Sequence, residues 1–252
     1  MSALEQIIEE SIQFNNPVHI SFIDFTNAFD SVNLFCLWML LDETSINKRY
    51  INPLKQSYEN SKAYIKTDIG TSSCVDILKR VKQCDMPSAI LFCIIIAALV
   101  LQVENECTSG FSIGGHTLSD LSSADDIAVI SNSRCELQTF LHLLAKYEAE
   151  VGLKINFSKT KCMTTDKITK NLHLTIDNNE ISQVTEFIHL GHKLSSKNDG
   201  LVTVQHRIAL GWATFNKYKA VLTSKRVSYH LKSKIFNTHV MPVVRYGLEC
   251  VD

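Results

Sequence analysis

Several common signatures of function are missing from this sequence. Its eight cysteines (Cys36, Cys74, Cys84, Cys93, Cys107, Cys135, Cys162 and Cys250) include no CxxC pair, and its nine histidines do not cluster at ligand spacing. Neither a structural zinc site nor a disulfide framework is therefore expected, and a reducing compartment is the simpler reading. The polar, acidic N-terminus has no basic n-region and no cleavage-type apolar core, so no secretion signal is expected. The longest apolar run, residues 89–101, is shorter than the roughly 18 residues a membrane helix needs, and predicts a buried core helix. An intracellular site, nuclear or cytoplasmic, without a membrane partner is the resulting expectation. There is no Walker-type glycine loop, dinucleotide fingerprint or nucleophile elbow; Gly110-Phe111-Ser112-Ile113-Gly114 has glycines and a serine at the wrong spacing for the last of these. Internal repeats and low-complexity segments are also missing.

What is present is an asymmetry of charge. The formal net charge of −1 combines 8 Lys/Arg against 16 Asp/Glu in residues 1–130 with 17 against 10 in residues 131–252, a net of −8 followed by +7. An acidic half able to hold cations and a basic half able to hold phosphates suit a nucleic-acid enzyme, although solvated surface charge reads the same way.

Periodicity supplies the elements. Ser2-Ala3-Leu4-Glu5 is a capping box, and Leu4, Ile7, Ile8 and Ile12 follow on one helical face up to Asn15-Asn16-Pro17. A strand is predicted over residues 18–25, then a buried helix over 32–41 capped by Ser31. Gly114-Gly115 marks a hairpin turn, and a second hairpin spans residues 118–130 with Ala124-Asp125-Asp126 at its tip. Ser133-Arg134-Cys135-Glu136 is another capping box; Leu137, Phe140, Leu141, Leu144 and Val151 mark an amphipathic helix closed by Gly152. Strands and hairpins follow to Gly191, with a turn at Asp177-Asn178-Asn179. From Leu201 the pattern is helical, with Ile208, Trp212, Phe215 and Leu222 on one face; Trp38 and Trp212 are expected in the core.

Two places carry the chemistry. Val18, Ile20, Phe22 and Asp24 share a strand face, so Asp24 is a carboxylate at the end of an apolar row, and such a charge needs a partner or a cation. Asp125 and Asp126 adjoin at a turn, as Asp often does in solvated loops. Together, a strand-end carboxylate and an Asp-Asp turn are what is needed to hold two Mg2+ ions roughly 4 Å apart for in-line phosphoryl transfer.

These residues also resemble a known family. Phe22-Ile23-Asp24-Phe25-Thr26-Asn27-Ala28-Phe29-Asp30-Ser31-Val32 looks like the first palm motif of reverse transcriptases from non-LTR (LINE-type) retrotransposons, and Ala124-Asp125-Asp126 like the core of their third. Residues 81–92, from Val81-Lys82-Gln83-Cys84 to Phe92, align with the second. Gly152-Leu153-Lys154-Ile155-Asn156-Phe157-Ser158-Lys159-Thr160-Lys161 resembles the motif after the catalytic pair, Phe187-Ile188-His189-Leu190-Gly191 the primer-grip hairpin, and residues 240–249 the segment closing the thumb. The matches keep the family order over almost the whole chain.

The resemblance implies an α+β polymerase palm, an antiparallel sheet backed by helices, over residues 1–194, with primer-grip hairpins, and a small helical thumb-like region over 195–252. It implies that Asp24, Asp125 and Asp126 are catalytic and bind two Mg2+ ions, or Mn2+ in their place. Phe29 would screen the sugar 2′ position, Gln83 and Ser88 would lie beside template and nucleotide, and Lys159 near the departing phosphates. Lys217, Lys219, Lys225, Arg226, Lys232 and Lys234 would track the backbone of an RNA template and DNA primer.

Departures from the pattern are Cys84 where the family has glycine, Met86 and Ala89 where it has prolines, and Ser123 where an aromatic residue precedes Ala-Asp-Asp. Cys84 puts a side chain where backbone should approach substrate. The chain also opens just before the first motif, so the fingers are expected to be largely missing, and no endonuclease or zinc-knuckle segment is recognisable. The implied function is Mg2+-dependent DNA synthesis from deoxynucleotides on an RNA template, weakened or lost in this chain. The alternative is a catalytically dead relic serving as a nucleic-acid-binding or structural module.

Overall fold

Leu4, Ile7 and Ile8, spaced for one helical face, are at most 2% exposed in the first helix, α1 (Ser2–Gln13). The computed structural model describes residues 2–59, 62–73, 75–76, 81, 85–113, 115–166, 171–197 and 200–248. After α1, Asn15 takes a left-handed φ of 49° and the chain turns into β1 (His19–Ile23). Three helices follow, α2 (Ala28–Ser31), α3 (Leu34–Glu43) and α4 (Lys48–Glu59). β2 (Lys62–Ala63) pairs with β5 (Val75–Asp76) around the smaller hairpin of β3 (Lys66–Thr67) and β4 (Gly70–Thr71).

Helix α5 (Met86–Glu106) leads to the hairpin of β6 (Phe111–Ile113) and β7 (His116–Leu118), then to that of β8 (Asp120–Ser123) and β9 (Asp126–Ser131). Next come α6 (Arg134–Glu148) and β10 (Lys161–Thr164), the hairpin of β11 (Thr175–Ile176) and β12 (Asn179–Glu180), and β13 (Ser182–Gln183). The hairpin of β14 (Glu186–His189) and β15 (His192–Ser195) precedes α7 (Gly200–Leu222), α8 (Tyr229–Ile235), a π-helical turn (Phe236–Val240) and α9 (Met241–Arg245).

The chain forms two compact units, one of residues 20–162 and 173–182, the other of residues 1–19, 163–172 and 183–252. The first is organised by a sheet of order β13-β10-β1-β9-β8. All five residues of β1 are buried, and Ile127, Ala128, Val129 and Ile130 of β9 are at most 1% exposed. Cover on both faces explains why β9 reads as a continuous apolar run and why His19 and Ser21 of β1 are buried along with Ile20 and Phe22. Helix α6 packs on β9 and α5, and α5 on α3. The α6 cap forms as the sequence predicts on one side, with Ser133 Oγ accepting the Glu136 N–H at 3.5 Å. Its other half is relayed: Glu136 Oε2 accepts from Ser131 Oγ at 3.0 Å, and that oxygen accepts the Ser133 N–H at 3.0 Å.

Gly152 follows α6 at φ +82°, and a Cβ there would come 2.6 Å from the Ser31 carbonyl oxygen and 2.9 Å from the Asn33 nitrogen. Gly152→Ala therefore combines left-handed strain with a backbone clash. It is expected to lower stability by about 2 kcal/mol or more in chemical denaturation, since each fault alone is worth about 1 kcal/mol or more.

Four expectations are corrected in this unit. The cap of α3 is Asn33, whose side chain accepts the Phe35 N–H at 3.0 Å, because Ser31 is already used at the end of α2. Helix α3 is not buried all round: Leu37 is 0% exposed, but Phe35 is 71% and Met39 50% exposed on its other side. Helix α5 is also longer than its apolar run. Its residues 87–106 meet the length and composition of a membrane-crossing helix. Phe92, Ile95, Ile96, Leu99 and Val103 are nevertheless at most 1% exposed, as in a core helix, while Ile90 and Leu101 on the outer face are 65% and 58% exposed, so that face is not buried as expected.

In the second unit, Glu5 of α1 reaches across to the β14–β15 hairpin. Its Oε1 meets Nε2 of fully buried His192 at 2.5 Å, a partner that a 0% exposed imidazole requires. The turn Leu190-Gly191 is gripped from two sides. The Arg207 guanidinium donates to the Gly191 carbonyl and stacks 4.4 Å over the Tyr246 ring, and the Tyr246 hydroxyl donates to the Leu190 carbonyl at 3.1 Å. The buried side of α7 is thus Thr203, Arg207 and Gly211. The predicted apolar face is open: Trp212 is 59% exposed, not in the core, and with Ile208, Phe215, Phe236, Val240 and Val244 lines a cavity of about 260 Å³.

Candidate active site

Asp24 sits one residue beyond β1, where the ladder gives way to a clamp from the segment after α6. The Asp24 carbonyl accepts the Asn156 N–H at 2.7 Å and its own N–H donates to Thr160 Oγ1 at 3.4 Å. Phe25 bridges Ile155, and the Thr26 N–H donates to the Lys154 carbonyl at 2.8 Å. The carboxylate is 32% exposed, and Lys159 Nζ lies 3.5 Å from its Oδ1 without making a hydrogen bond. That oxygen is buried and has the ion pair but no hydrogen bond, which leaves it capacity for a further ligand.

Asp125 and Asp126 occupy the end of the β8–β9 hairpin, whose last pair is Ser123 with Asp126. Ala124 turns the chain at φ 54°, a left-handed conformation costly for a residue with a Cβ, and Asp125 completes the two-residue turn. Asp126 is the first residue of β9, the neighbour of β1. Its carboxyl holds its proton more tightly than usual because of burial first, then the charges of Asp125 and Asp24. Three carboxylates therefore repel one another within one unit. Among the described residues, no group of three His, Cys, Asp or Glu is closed tightly enough to hold a metal ion as it stands. The donor chemistry fits a hard divalent cation.

A pKa raised above its unfolded value means that ionised Asp126 costs stability. That stability is intact at pH below the ordinary carboxylate range and is lost as pH rises through the folded value. Asp126→Asn is expected to melt at higher temperature than the native chain at pH 7.5, with the difference shrinking toward pH 4; an equal or lower melting temperature at pH 7.5 contradicts this electrostatic account.

The other expected residues are placed as follows. Phe29, half-buried in α2, stacks on Phe92 of α5 with centroids 4.7 Å apart. Gln83 and Cys84 lie outside the described residues. Ser88, near the start of α5, is 2% exposed, and its hydroxyl lies 3.1 Å from that of Tyr58 in α4. Lys217, Lys219, Lys225, Arg226 and Lys234 are exposed in the second unit and Lys232 is partly so. Thr160, which holds the Asp24 N–H, carried no role in the sequence reading, although it belongs to the motif of residues 152–161.

The family model described as reverse transcriptase (RNA-dependent DNA polymerase) matches residues 3–194. The chain belongs to the reverse transcriptase family. A transposon-derived protein of Caenorhabditis elegans is 29% identical to this reverse transcriptase chain over 143 residues, 54% of this chain and 50% of the relative. The Pol polyproteins of R2 retrotransposable elements from Nasonia vitripennis and Popillia japonica are 28% and 21% identical, covering 80% and 98% of this chain but 20% and 35% of their own. The reverse transcriptase domain is thus of the non-LTR retrotransposon type, and the chain spans at most half the length of these relatives. Among solved structures, a C-terminally truncated telomerase of Candida tropicalis aligns with a TM-score of 0.57 at 14% identity, over 78% of this chain and 38% of that one. The same organism's telomerase bound to a fragment of telomeric RNA aligns at 0.52 and 12%, over 97% and 42%. They share its palm-like α+β fold. Reverse transcriptases as a family work with divalent metal ions and nucleic acids.

Proposed function

We propose that this reverse transcriptase domain extends a DNA primer on an RNA template from deoxynucleotides, with Asp24, Asp125 and Asp126 as its catalytic and metal-binding residues. The observation that carries this reading is the buried Asp24 oxygen, ion-paired with Lys159 but without a hydrogen bond, in the same unit as Asp126, which feels the charges of Asp24 and Asp125. When bound, Mg2+ or Mn2+ lowers the pKa of an attacking hydroxyl and stabilises the leaving pyrophosphate. The chain's own residues do the rest. Lys159, paired with Asp24 in the free protein, is released to meet phosphate charge when Asp24 turns to a cation. Phe29, braced by Phe92, limits the space at the sugar 2′ position. Gln83 and Ser88 belong beside template and nucleotide by family position alone. Lys217, Lys219, Lys225, Arg226, Lys232 and Lys234 follow the phosphate backbone. Extension of a labelled primer on an RNA template with Mg2+ is the expected result; no product with either Mg2+ or Mn2+ overturns it.

A second reading, a nucleic-acid-binding module without polymerisation, is favoured by Cys84 and Ser123 at family positions. It predicts salt-sensitive binding of a primer-template duplex and no extension.

A further inference from the structure

One buried carboxylate has no place in the chemistry above. Glu148 is the last residue of α6, 7% exposed, where the helix dipole disfavours a negative charge. Its Oε2 accepts the Ile155 N–H at 2.5 Å, and its backbone carbonyl accepts the Leu153 N–H at 2.9 Å. The segment gripped in this way is the one that clamps Asp24. Lys154 accepts from Thr26, Ile155 bridges Phe25, Asn156 donates to the Asp24 carbonyl, Thr160 accepts the Asp24 N–H, and Lys159 reaches the Asp24 carboxylate.

We propose that Glu148 is a positioning residue of the candidate active site, fixing the Ile155 amide so that residues 153–160 hold Asp24, Lys159 and Thr160 in register. The inference rests on the reading of Asp24 as part of that site. Its energetics separate position from stability. Burial pushes the Glu148 carboxyl up to about 7, with the Asp177 charge adding to the rise and the Ile155 hydrogen bond and Lys154 opposing it. At pH 8 the group is ionised in a place where ionisation is disfavoured, so the fold alone is better served by a neutral side chain. A glutamine there accepts the same N–H, and a leucine does not.

The test compares Glu148→Leu and Glu148→Gln by amide hydrogen exchange and by primer extension at pH 8. Glu148→Leu is expected to speed exchange of residues 153–160 at least tenfold, leave α6 and β9 unchanged, and lower kcat at least tenfold, more than any fall in melting temperature accounts for. Glu148→Gln is expected to restore both exchange and turnover. Unchanged exchange at 153–160 in the leucine variant, or turnover that falls only in step with melting temperature, overturns the proposal. If the leucine variant does not fold, Glu148→Asp, which keeps the charge but shortens the reach, is read by the same exchange criterion. Absence of extension by the native chain would defeat the polymerase reading and leave the exchange measurement to decide on Glu148.

Discussion

Asp125→Ala is expected to lower single-turnover primer extension about 10³-fold while leaving the fold intact. Asp125 stands in the two-residue turn between β8 and β9 and is only partly buried, so truncation opens no core cavity. Its loss removes one of the three carboxylates of the proposed metal site, where metal-borne charge stabilisation would be worth several kcal/mol, and each 1.36 kcal/mol is a factor of ten. The melting temperature should hold or rise slightly, because Asp125 is one of the charges that Asp126 repels. Equal extension by the native and variant chains would show that any product came from something other than this site.

Binding of a primer-template duplex is expected to weaken about 10³-fold between 50 and 200 mM salt if Lys217, Lys219, Lys225, Arg226, Lys232 and Lys234 each neutralise one phosphate, a log-log slope of about −5. Replacing Lys217, Lys219 and Lys234 with Gln should reduce that slope by about 3 and weaken all sequences alike, as phosphate contacts do. The three lie on exposed positions of α7 and α8, so their loss should not disturb packing. A flat salt response measured by fluorescence anisotropy would assign these residues to a solvated face and remove the nucleic-acid role from the helical region.

Both predictions start from residues visible in the sequence, and the reason is local. The apolar run of β1 breaks at Asp24, and the Asp-Asp pair sits between two strand-like stretches, so strand ends and turn are encoded by neighbours in the chain. The cap Ser133 and the turn residue Gly152 follow from short-range rules of the same kind. Exposure was less legible. The apolar residues Phe35, Met39 and Trp212 carry the same helical periodicity as core residues, and only the packing of α3 and α7 shows that they face outward. Nothing local shows that the Ser88 hydroxyl meets that of Tyr58. Nothing near Glu5 in the chain shows that it partners the buried His192.

The same division runs through the candidate site. The sequence by itself determined the three carboxylates, the order of the motifs around them and the helices and hairpins that carry them, because hydrophobic period, caps and turn residues act over a few positions. Only the tertiary structure decided that residues 153–160 clamp Asp24, that Lys159 pairs with it, that Asp126 feels the charges of both partners, and that Glu148 is buried beneath the clamp. These depend on groups brought together from distant parts of the chain, where burial and unscreened charge set the energies, and no local pattern encodes which distant group will arrive.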